Sequence, residues 1–278
     1  HLIKEKLITK TVRIYEEING NWIQKGQSII GSSGDEIGFS VSISGDANTI
    51  AIGGRSANSN TGLVRVFSWD GSSWNQLGND ISGETYGDKS GSSVSISDDG
   101  NTVAIGARFN DGNGSNSGHT RVYSYNGSSW IQLGQDIDGE AAGDYSGHSV
   151  SLSSNGLRIA IGAPQNDYTN DPSGAGIGHV RIFVWDGINW IQKGQDIDGF
   201  INAAHFGMTV SLSNDGNTVV IGANNNDTGY VSIFDWDISN WVQRGQNINH
   251  QGSSVSINND ANIIAIGSHG DWYFNGKA

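Results

Sequence analysis

Cysteine is absent from this sequence, and proline occurs only twice. The lack of cysteine excludes disulfide bonds and thiolate metal sites, although it does not identify a cellular compartment. No apolar run approaches the ~20 residues that a membrane-spanning helix needs, and His1–Lys6 has charges where a signal peptide would be apolar. We therefore expect no membrane insertion, and we interpret the chain as a processed or excised part of something longer.

Basic residues are also scarce, with 15 Lys and Arg against 28 Asp and Glu and a net charge of -13. Because an acidic surface repels nucleic acid and anionic lipid, neither is an expected partner. Glycine, in contrast, is abundant, at 41 of 278 residues, and Asn, Asp and Ser fill the gaps between short apolar runs. This composition predicts many short strands joined by turns.

One sequence unit recurs along the chain. Its clearest marker is a tryptophan found at positions 22, 74, 130, 190 and 241, so that the unit is between 51 and 60 residues long by subtraction. In the second copy the four strand-like segments are A (Ser93–Ser97), B (Thr102–Gly106), C (Thr120–Tyr123) and D (Trp130–Gly134). A period of this length with four strands is typical of a propeller blade.

The predicted fold is all-β: a β-propeller of five four-stranded blades in one domain, residues 1–278. The blades are expected at residues 38–82, 91–138, 147–198 and 207–248, with a fifth made by joining 252–274 to 11–29. Such a shared blade would close the ring and remove free sheet edges. The alternative is a part of a longer propeller, for example one with seven blades, because residues 275–278 look like the start of another strand C.

Two short motifs resemble the FG-GAP repeat, the blade unit of the integrin α-subunit propeller. They are Phe206 and Gly207 before strand A, and the Gly-Ala-Pro segment 162–164 after strand B. The resemblance covers nearly the whole chain as a repeat pattern, and it implies an extracellular or cell-surface protein for adhesion and ligand binding, often with calcium. The family's Asp-x-Asp-x-Asp-Gly calcium loop is degraded here at 97–102. Because calcium takes 6–8 oxygen ligands, we expect plain hairpin turns and no cofactor, with calcium as the alternative.

Loops B–C and D–A are expected on the same face, and variable loops on a rigid scaffold are where binding sites usually lie. The predicted ligand-binding residues lie in these loops: Asp35, Asp88, Asp144, His205, Asp111, Asp167 and Asp227. The alternative for the recurring Asp35, Asp88 and Asp144 is that each caps loop backbone.

Other repeated polar residues lie on the outer strands. Asp136 with Asp138, and Asp196 with Asp198, place two carboxylates on one strand face; they could share a cation, but we favour charges that protect an edge strand from pairing. The recurrent arginines of strand C predict inter-blade contacts rather than a ligand clamp; they are Arg13, Arg65, Arg121 and Arg181.

The sequence contains no nucleophile elbow, phosphate loop or His-metal spacing, so we expect no enzyme and no metal centre. It predicts a non-catalytic extracellular binding or adhesion module with a protein or glycan ligand. The alternatives are a carbohydrate-binding, lectin-like propeller and a structural subunit of a surface filament or assembly. Sequons at Asn113, Asn126 and Asn226 would permit N-glycosylation on a eukaryotic secretory route.

Overall fold

The computed structural model describes residues 10–166, 176–201, 204–224 and 229–268. Within these ranges the fold is all-β apart from one four-residue helical turn, α1 (Ala57–Asn60). The first strands form two small antiparallel sheets, in which β1 (Thr11–Val12) pairs with β4 (Ile29–Ile30) and β2 (Tyr15–Ile18) pairs with β3 (Asn21–Gln24).

Four larger antiparallel sheets follow, and we number them as blades 1 to 4. Blade 1 consists of β5 (Ile37–Ile43), β6 (Thr49–Gly54), β7 (Leu63–Trp69), β8 (Trp74–Gln76) and β9 (Ile81–Ser82). Blade 2 consists of β10 (Ser93–Ile96), β11 (Thr102–Ala107), β12 (His119–Tyr125), β13 (Trp130–Gln132) and β14 (Ile137–Asp138). Blade 3 consists of β15 (Ser149–Leu152), β16 (Arg158–Ala163), β17 (His179–Trp185), β18 (Trp190–Gln192) and β19 (Ile197–Asp198). Blade 4 consists of β20 (Thr209–Leu212), β21 (Thr218–Ala223), β22 (Tyr230–Trp236) and β23 (Trp241–Gln243).

The first four strands of each blade pair in chain order, as expected for segments A to D. The fifth strand of blades 1 to 3 is a two-residue segment that pairs with the third strand beyond the end of the fourth. The sequence analysis placed these residues on the outer strand of a four-stranded blade, whereas the structure separates them into a fifth strand, because two residues have no detectable periodicity of their own.

The hydrophobic core lies between adjacent blades. The second strand is apolar on both faces, and Val103, Ala104 and Ile105 of β11 are all buried. One cluster joins Ala104 and Val122 of blade 2 to Ile159 and Ile161 of blade 3. Each blade thus buries its apolar face only by packing on its neighbour, as in other repeat proteins.

Serines of the innermost strands bond one blade to the next. The Ser93 hydroxyl donates to the Gly147 carbonyl at 2.8 Å, and the Ser149 hydroxyl donates to the Gly207 carbonyl at 2.9 Å. The Ser95 hydroxyl accepts from the Leu152 N–H at 2.9 Å. The strict Ser-Val-Ser-Ile alternation therefore supplies apolar packing on one face and inter-blade hydrogen bonds on the other.

The two ends of the chain each form an incomplete blade. β24 (Ser254–Ile257) and β25 (Ile264–Gly267) form a two-stranded sheet next to blade 4. In the described residues no strand of this sheet pairs with β1 to β4, so the predicted count of five and the closed ring are not confirmed. Val41 of blade 1 is accordingly 54 % exposed, whereas Val150 at the same position of blade 3 is 8 % exposed.

In the part of the chain that is described, no helix has the length and apolar character needed to cross a bilayer.

Candidate functional site

The D–A and B–C loops lie on one face and are bonded to each other. The Lys89 N–H donates to the Asn60 carbonyl at 3.0 Å, and the Tyr145 N–H donates to the Asn116 carbonyl at 3.1 Å. These contacts connect the loop before each blade to the B–C loop of the preceding one. The loop-rich face predicted from strand alternation is therefore present.

The three recurring aspartates of this face close their own turns. Each carboxylate accepts an N–H from the residue three positions earlier: Asp35 from Ser32 at 3.2 Å, Asp88 from Thr85 at 2.9 Å and Asp144 from Ala141 at 2.9 Å. Asp88 and Asp144 are buried. These contacts are those of the capping alternative, which accounts for the recurrence without a ligand.

The remaining predicted site residues divide into three groups. Asp111 is exposed and accepts the Asn116 N–H at 2.7 Å, so it also shapes its own loop. Asp167 and Asp227 lie outside the described residues. His205 is half-buried and lines a cleft.

This cleft, which we call the Arg108 cleft, lies between the loops of blades 2, 3 and 4. It has a volume of ≈ 310 Å³ and is lined by Arg108, Phe109, Tyr145, His148, Pro164, Gln165, His205 and Met208. The rings of Phe109 and Tyr145 meet edge-on with centroids 5.4 Å apart. The Arg108 guanidinium lies 4.8 Å from the Phe109 ring centroid. The cleft thus combines aromatic surface with one cation.

The cation of this cleft is poorly compensated. The Nε of Arg108 is buried and has no hydrogen-bond partner among the described residues. Burial lowers the pKa of Arg108 from its ordinary value, and the nearby Arg55 lowers it further. Burial also lowers the pKa of His148 to about 4, and Arg108 contributes to that shift. A desolvated, unpaired charge is unfavourable. An anion that entered the cleft would pair with the guanidinium and reduce this free-energy cost.

A second polar site, the His119 cluster, consists of Glu84, His119, Asp136 and Asp138 and lies between blades 1 and 2. His119 is 1 % exposed, and its Nδ1 has no hydrogen-bond partner in the described structure. Nδ1 lies 3.7 Å from Asp136 Oδ2, 3.8 Å from Glu84 Oε2 and 4.0 Å from Asp138 Oδ1. All three distances exceed those of direct hydrogen bonds.

Neighbouring side chains hold two of these carboxylates in place. Gln132 donates to Asp136 Oδ1 at 2.6 Å, and Arg121 Nη1 lies 3.3 Å from Glu84 Oε1. Arg121 also donates to the Ser82 carbonyl of blade 1 at 2.9 Å, and Arg181 donates to the Asp138 carbonyl of blade 2 at 2.6 Å, so these two make the predicted inter-blade contact. For Arg65 and Arg13 the prediction was wrong, since Arg65 pairs with Asp80 of its own blade and Arg13 donates to Ser28 of its own half-blade. Burial lowers the pKa of His119 to about 4, with Arg121 contributing, so the imidazole is neutral at pH 7.

The His179 cluster (Glu140, His179, Asp196 and Asp198) places the same residue types between blades 2 and 3, but here the buried nitrogen without a hydrogen-bond partner among the described residues is Nε2. His179 is 2 % exposed, and its Nδ1 lies 3.8 Å from Glu140 Oε2. Gln192 donates to Asp196 Oδ1 at 2.6 Å, and Asn113 donates to the Glu140 carbonyl at 2.9 Å. The ligand atoms that Glu140, His179 and Asp196 offer lie within 4.8 Å of one another, as do those of Glu84, His119 and Asp136.

Blades 1 and 4 lack this set of residues. In blade 1, Leu63 occupies the position equivalent to His119. Leu63 pairs with Ser82, just as His119 pairs with Asp138. In blade 4 the position is Tyr230, whose ring lies 4.4 Å from that of Phe200. The two histidine clusters are therefore a specific feature of blades 2 and 3.

Sequence reasoning noted the aspartate pairs of these clusters but did not connect them to a histidine. The signal was present, since His119 and His179 both occupy the first position of strand C. The glutamate comes from the preceding blade, however, and only inter-blade packing brings it to the imidazole.

One acid of each A–B turn in blades 1, 2 and 4 caps its own hairpin, and Asp98 also accepts the Ser154 hydroxyl of the next blade. Asp99 Oδ1 accepts the Ser97 hydroxyl at 2.6 Å and the Asn101 N–H at 3.0 Å. Asp46 and Asp215 accept the same pair of contacts in blades 1 and 4. These are the contacts of plain hairpin turns.

A family model for the FG-GAP repeat matches residues 80–123, which extend from the end of blade 1 to strand C of blade 2. Residues 80–123 are an FG-GAP repeat. The family resemblance predicted from the sequence is thereby confirmed. FG-GAP repeats are typical of extracellular proteins, and a propeller of this kind suggests a binding or structural module. No curated protein matches the chain in sequence.

Solved structures with propeller-type folds resemble the chain. Hydrazine synthase of Kuenenia stuttgartiensis matches with a TM-score of 0.56 and 13 % identity, over 91 % of this chain and 59 % of that one. A protein of Bacteroides uniformis described as a 6-phosphogluconolactonase matches with a TM-score of 0.60 and 12 % identity, over 89 % of this chain and 67 % of that one. The chain thus spans about 59 % of the hydrazine synthase chain. At such identities the likeness establishes the fold alone.

Proposed function

We propose that the chain is a non-catalytic extracellular binding module that holds a carboxylate-bearing ligand in the Arg108 cleft. The observation that supports this most directly is the buried Nε of Arg108, which has no partner among the described residues. Guanidinium groups bind carboxylates through two parallel N–H donors. A ligand carboxylate would supply the hydrogen bonds and the counter-charge that Arg108 lacks.

The ligand that we favour is an acidic glycan, with a uronic-acid residue in the cleft. Phe109 and Tyr145 offer aromatic surface of the kind on which sugar rings pack, and ≈ 310 Å³ suits a group of about that size. The net charge of -13 would repel a long polyanion. We therefore propose a single acidic sugar in a largely neutral context as the preferred ligand.

Catalysis is not part of the proposal. Glycoside hydrolysis generally requires two carboxylates flanking the bond, whereas the described residues lining the cleft include no Asp or Glu. The two histidines of the cleft have pKa values lowered by burial, and neither has a carboxylate partner in the described structure.

Replacing Arg108 by glutamine tests the proposal. We expect Arg108→Gln to weaken binding of methyl glucuronide by about 10- to 100-fold, since a hydrogen bond to a charged group contributes about 1.5–3 kcal/mol. Isothermal titration calorimetry on both proteins measures the difference. The matched control is Arg13→Gln, which removes an exposed arginine outside the cleft and should leave affinity unchanged. Equal affinity of Arg108→Gln and the wild type would remove the basis of the proposal.

Apolar side chains are exposed at the two ends of the blade array, and how they are covered decides whether a second candidate function, as a subunit of an assembly, applies. On β5 they are Phe39, Val41 and Ile43, and next to β25 it is Ile263. The N-terminal hairpin β2–β3 corresponds to strands C and D, and β24–β25 corresponds to strands A and B. We propose that these half-blades join within one chain; joining between chains would instead build a head-to-tail assembly.

A cysteine pair distinguishes these two arrangements. Val103 pairs with Tyr123 in blade 2, and the equivalent residues of the two half-blades are Ile264 and Tyr15. Paired strand positions have Cα atoms about 4.5–5.5 Å apart, within disulfide range. Since the chain has no other cysteine, we expect Tyr15→Cys/Ile264→Cys to form a disulfide within the monomer, visible by non-reducing electrophoresis.

The other outcomes of this experiment are equally specific. Covalent dimers and ladders that form only when both substitutions are present would indicate head-to-tail assembly instead of closure within one chain. Free thiols under oxidising conditions would show that the half-blades meet in neither way. The single variant Ile264→Cys controls for random collisional crosslinking.

A further inference from the structure

We propose that the His119 cluster and the His179 cluster are two equivalent binding sites for a divalent transition-metal cation, of which Zn²⁺ fits the donors best. This inference is independent of the Arg108 cleft. It rests on Nδ1 of His119, a buried nitrogen that has no hydrogen-bond partner among the described residues and faces three carboxylate oxygens. It rests also on the Glu, His and Asp set that recurs at the equivalent position of the next blade.

Direct contacts within the His119 cluster do not explain its geometry. A neutral imidazole N–H would approach a carboxylate to about 2.7–3.2 Å, yet Nδ1 of His119 stays 3.7 to 4.0 Å from all three oxygens. Zn²⁺ binds nitrogen and carboxylate oxygen at about 2.0–2.2 Å, so tetrahedral ligand atoms lie roughly 3.3–3.6 Å apart. The distances from Nδ1 to the oxygens would have to shorten by a few tenths of an ångström, and the ligand atoms of Glu84, His119 and Asp136 already lie within 4.8 Å of one another.

The carboxylates of the cluster are already oriented toward such an ion. Oδ1 of Asp136 accepts a hydrogen bond from Gln132, and its Oδ2 faces the imidazole of His119. Oε1 of Glu84 faces Arg121, and its Oε2 faces the same imidazole. Partners of this kind typically fix metal-binding carboxylates. One arginine opposes three carboxylates, so a divalent cation would also neutralise the remaining charge.

The donor chemistry selects the class of metal. Imidazole nitrogen is a common ligand of zinc and other transition metals, whereas Ca²⁺ and Mg²⁺ take oxygen ligands. A set of one nitrogen and two or three carboxylate oxygens therefore favours Zn²⁺ over Ca²⁺.

Each proposed site would tie two blades together. Glu84 belongs to the segment after β9 of blade 1, and Glu140 belongs to the segment after β14 of blade 2. The histidine and aspartates come in each case from the following blade. Because metal binding to the folded state stabilises it, Zn²⁺ should raise the melting temperature of the full chain.

The chain supplies its own matched substitution. Leu63 occupies the histidine position of blade 1, so His119→Leu and His179→Leu insert a side chain that this scaffold already accepts there. Titrating Zn²⁺ into the chelator-stripped full chain should give two bound ions per molecule by calorimetry. Each single variant should bind one ion, and the double variant should bind none. His250→Asn, which removes an exposed histidine outside both clusters, should still bind two.

A second pair of variants guards against a folding defect in the first. The double variant Asp136→Asn/Asp196→Asn keeps the size of both side chains, and each asparagine can still accept a hydrogen bond from Gln132 or Gln192. It removes one anionic ligand from each site. We expect at least a tenfold loss of Zn²⁺ affinity with an unchanged circular dichroism spectrum. The proposal is overturned if the wild type binds no Zn²⁺ at ~1 mM, if both double variants bind like the wild type, or if Ca²⁺ binds these sites more tightly than Zn²⁺.

Discussion

Replacing Trp190 by alanine is expected to lower the free energy of unfolding by about 3–5 kcal/mol, as for other large core truncations. Trp190 is 2 % exposed, and its indole N–H donates to the Leu133 carbonyl of blade 2 at 2.8 Å. Its ring lies 5.5 Å from that of Trp185. The substitution therefore leaves a cavity between blades 2 and 3 and an unpaired carbonyl. Urea denaturation followed by circular dichroism measures the change.

The repeat provides the control for this substitution. Trp22 occupies the same strand position in the N-terminal half-blade, but it is 73 % exposed and has no preceding blade to donate to within the described residues. Trp22→Ala should change stability by no more than about 0.5 kcal/mol, as for most surface substitutions. Similar losses in both variants would mean that the tryptophans act within their own sheets and not between blades.

Replacing Gly162 by alanine is the second change with a large expected effect. A Cβ at this position would lie about 2.0 Å from the backbone carbonyl oxygen of Gly207 in the next blade, far inside contact distance. That carbonyl also accepts the Ser149 hydroxyl, so the blade contact and its hydrogen bond would be displaced together. Overpacking of this kind costs about 1–3 kcal/mol or more. We expect a loss of at least this size in the same denaturation experiment.

Gly267 is the matched position for this test. It occupies the equivalent position in β25, but the nearest atom to an added Cβ is the rotatable Ser254 hydroxyl. Among the described residues no backbone atom of another blade lies within 4 Å. Gly267→Ala should therefore be nearly neutral. If it destabilised the protein as much as Gly162→Ala, the glycine would be needed for its own strand and not for the approach of the neighbouring blade.

The features that the sequence predicted are those encoded locally. Alternation in Ser93–Ser97, the apolar run of strand B and the Asp-Gly hairpin at Asp99 and Gly100 each lie within a few residues, and each formed the expected strand or turn. The spacing of the tryptophans predicted the repeat, because Trp130, Trp190 and Trp241 each donate to a carbonyl of the preceding blade.

The candidate sites depend on contacts between distant parts of the chain, and most of them could not be predicted. Glu84 and His119 meet only because blades 1 and 2 pack together. Arg108 and His205 line one cleft although nearly two repeats separate them. The three Gly-Asp pairs were conspicuous in the sequence, but their carboxylates accept local N–H groups. A repeated acid can thus reflect a repeated turn, whereas a site also requires groups from different repeats.

The central claim is that the Arg108 cleft binds a ligand through its carboxylate. The most direct measurement compares two ligands that differ only in that group, methyl glucuronide and methyl glucoside, by calorimetric titration into the wild-type protein. The account predicts that the glucuronide binds and that the glucoside binds at least tenfold more weakly, with hydrogen-exchange protection on the loops at 108–109 and 145–148. Equal affinity for the two sugars, or protection confined to the A–B turns on the opposite face, would contradict it.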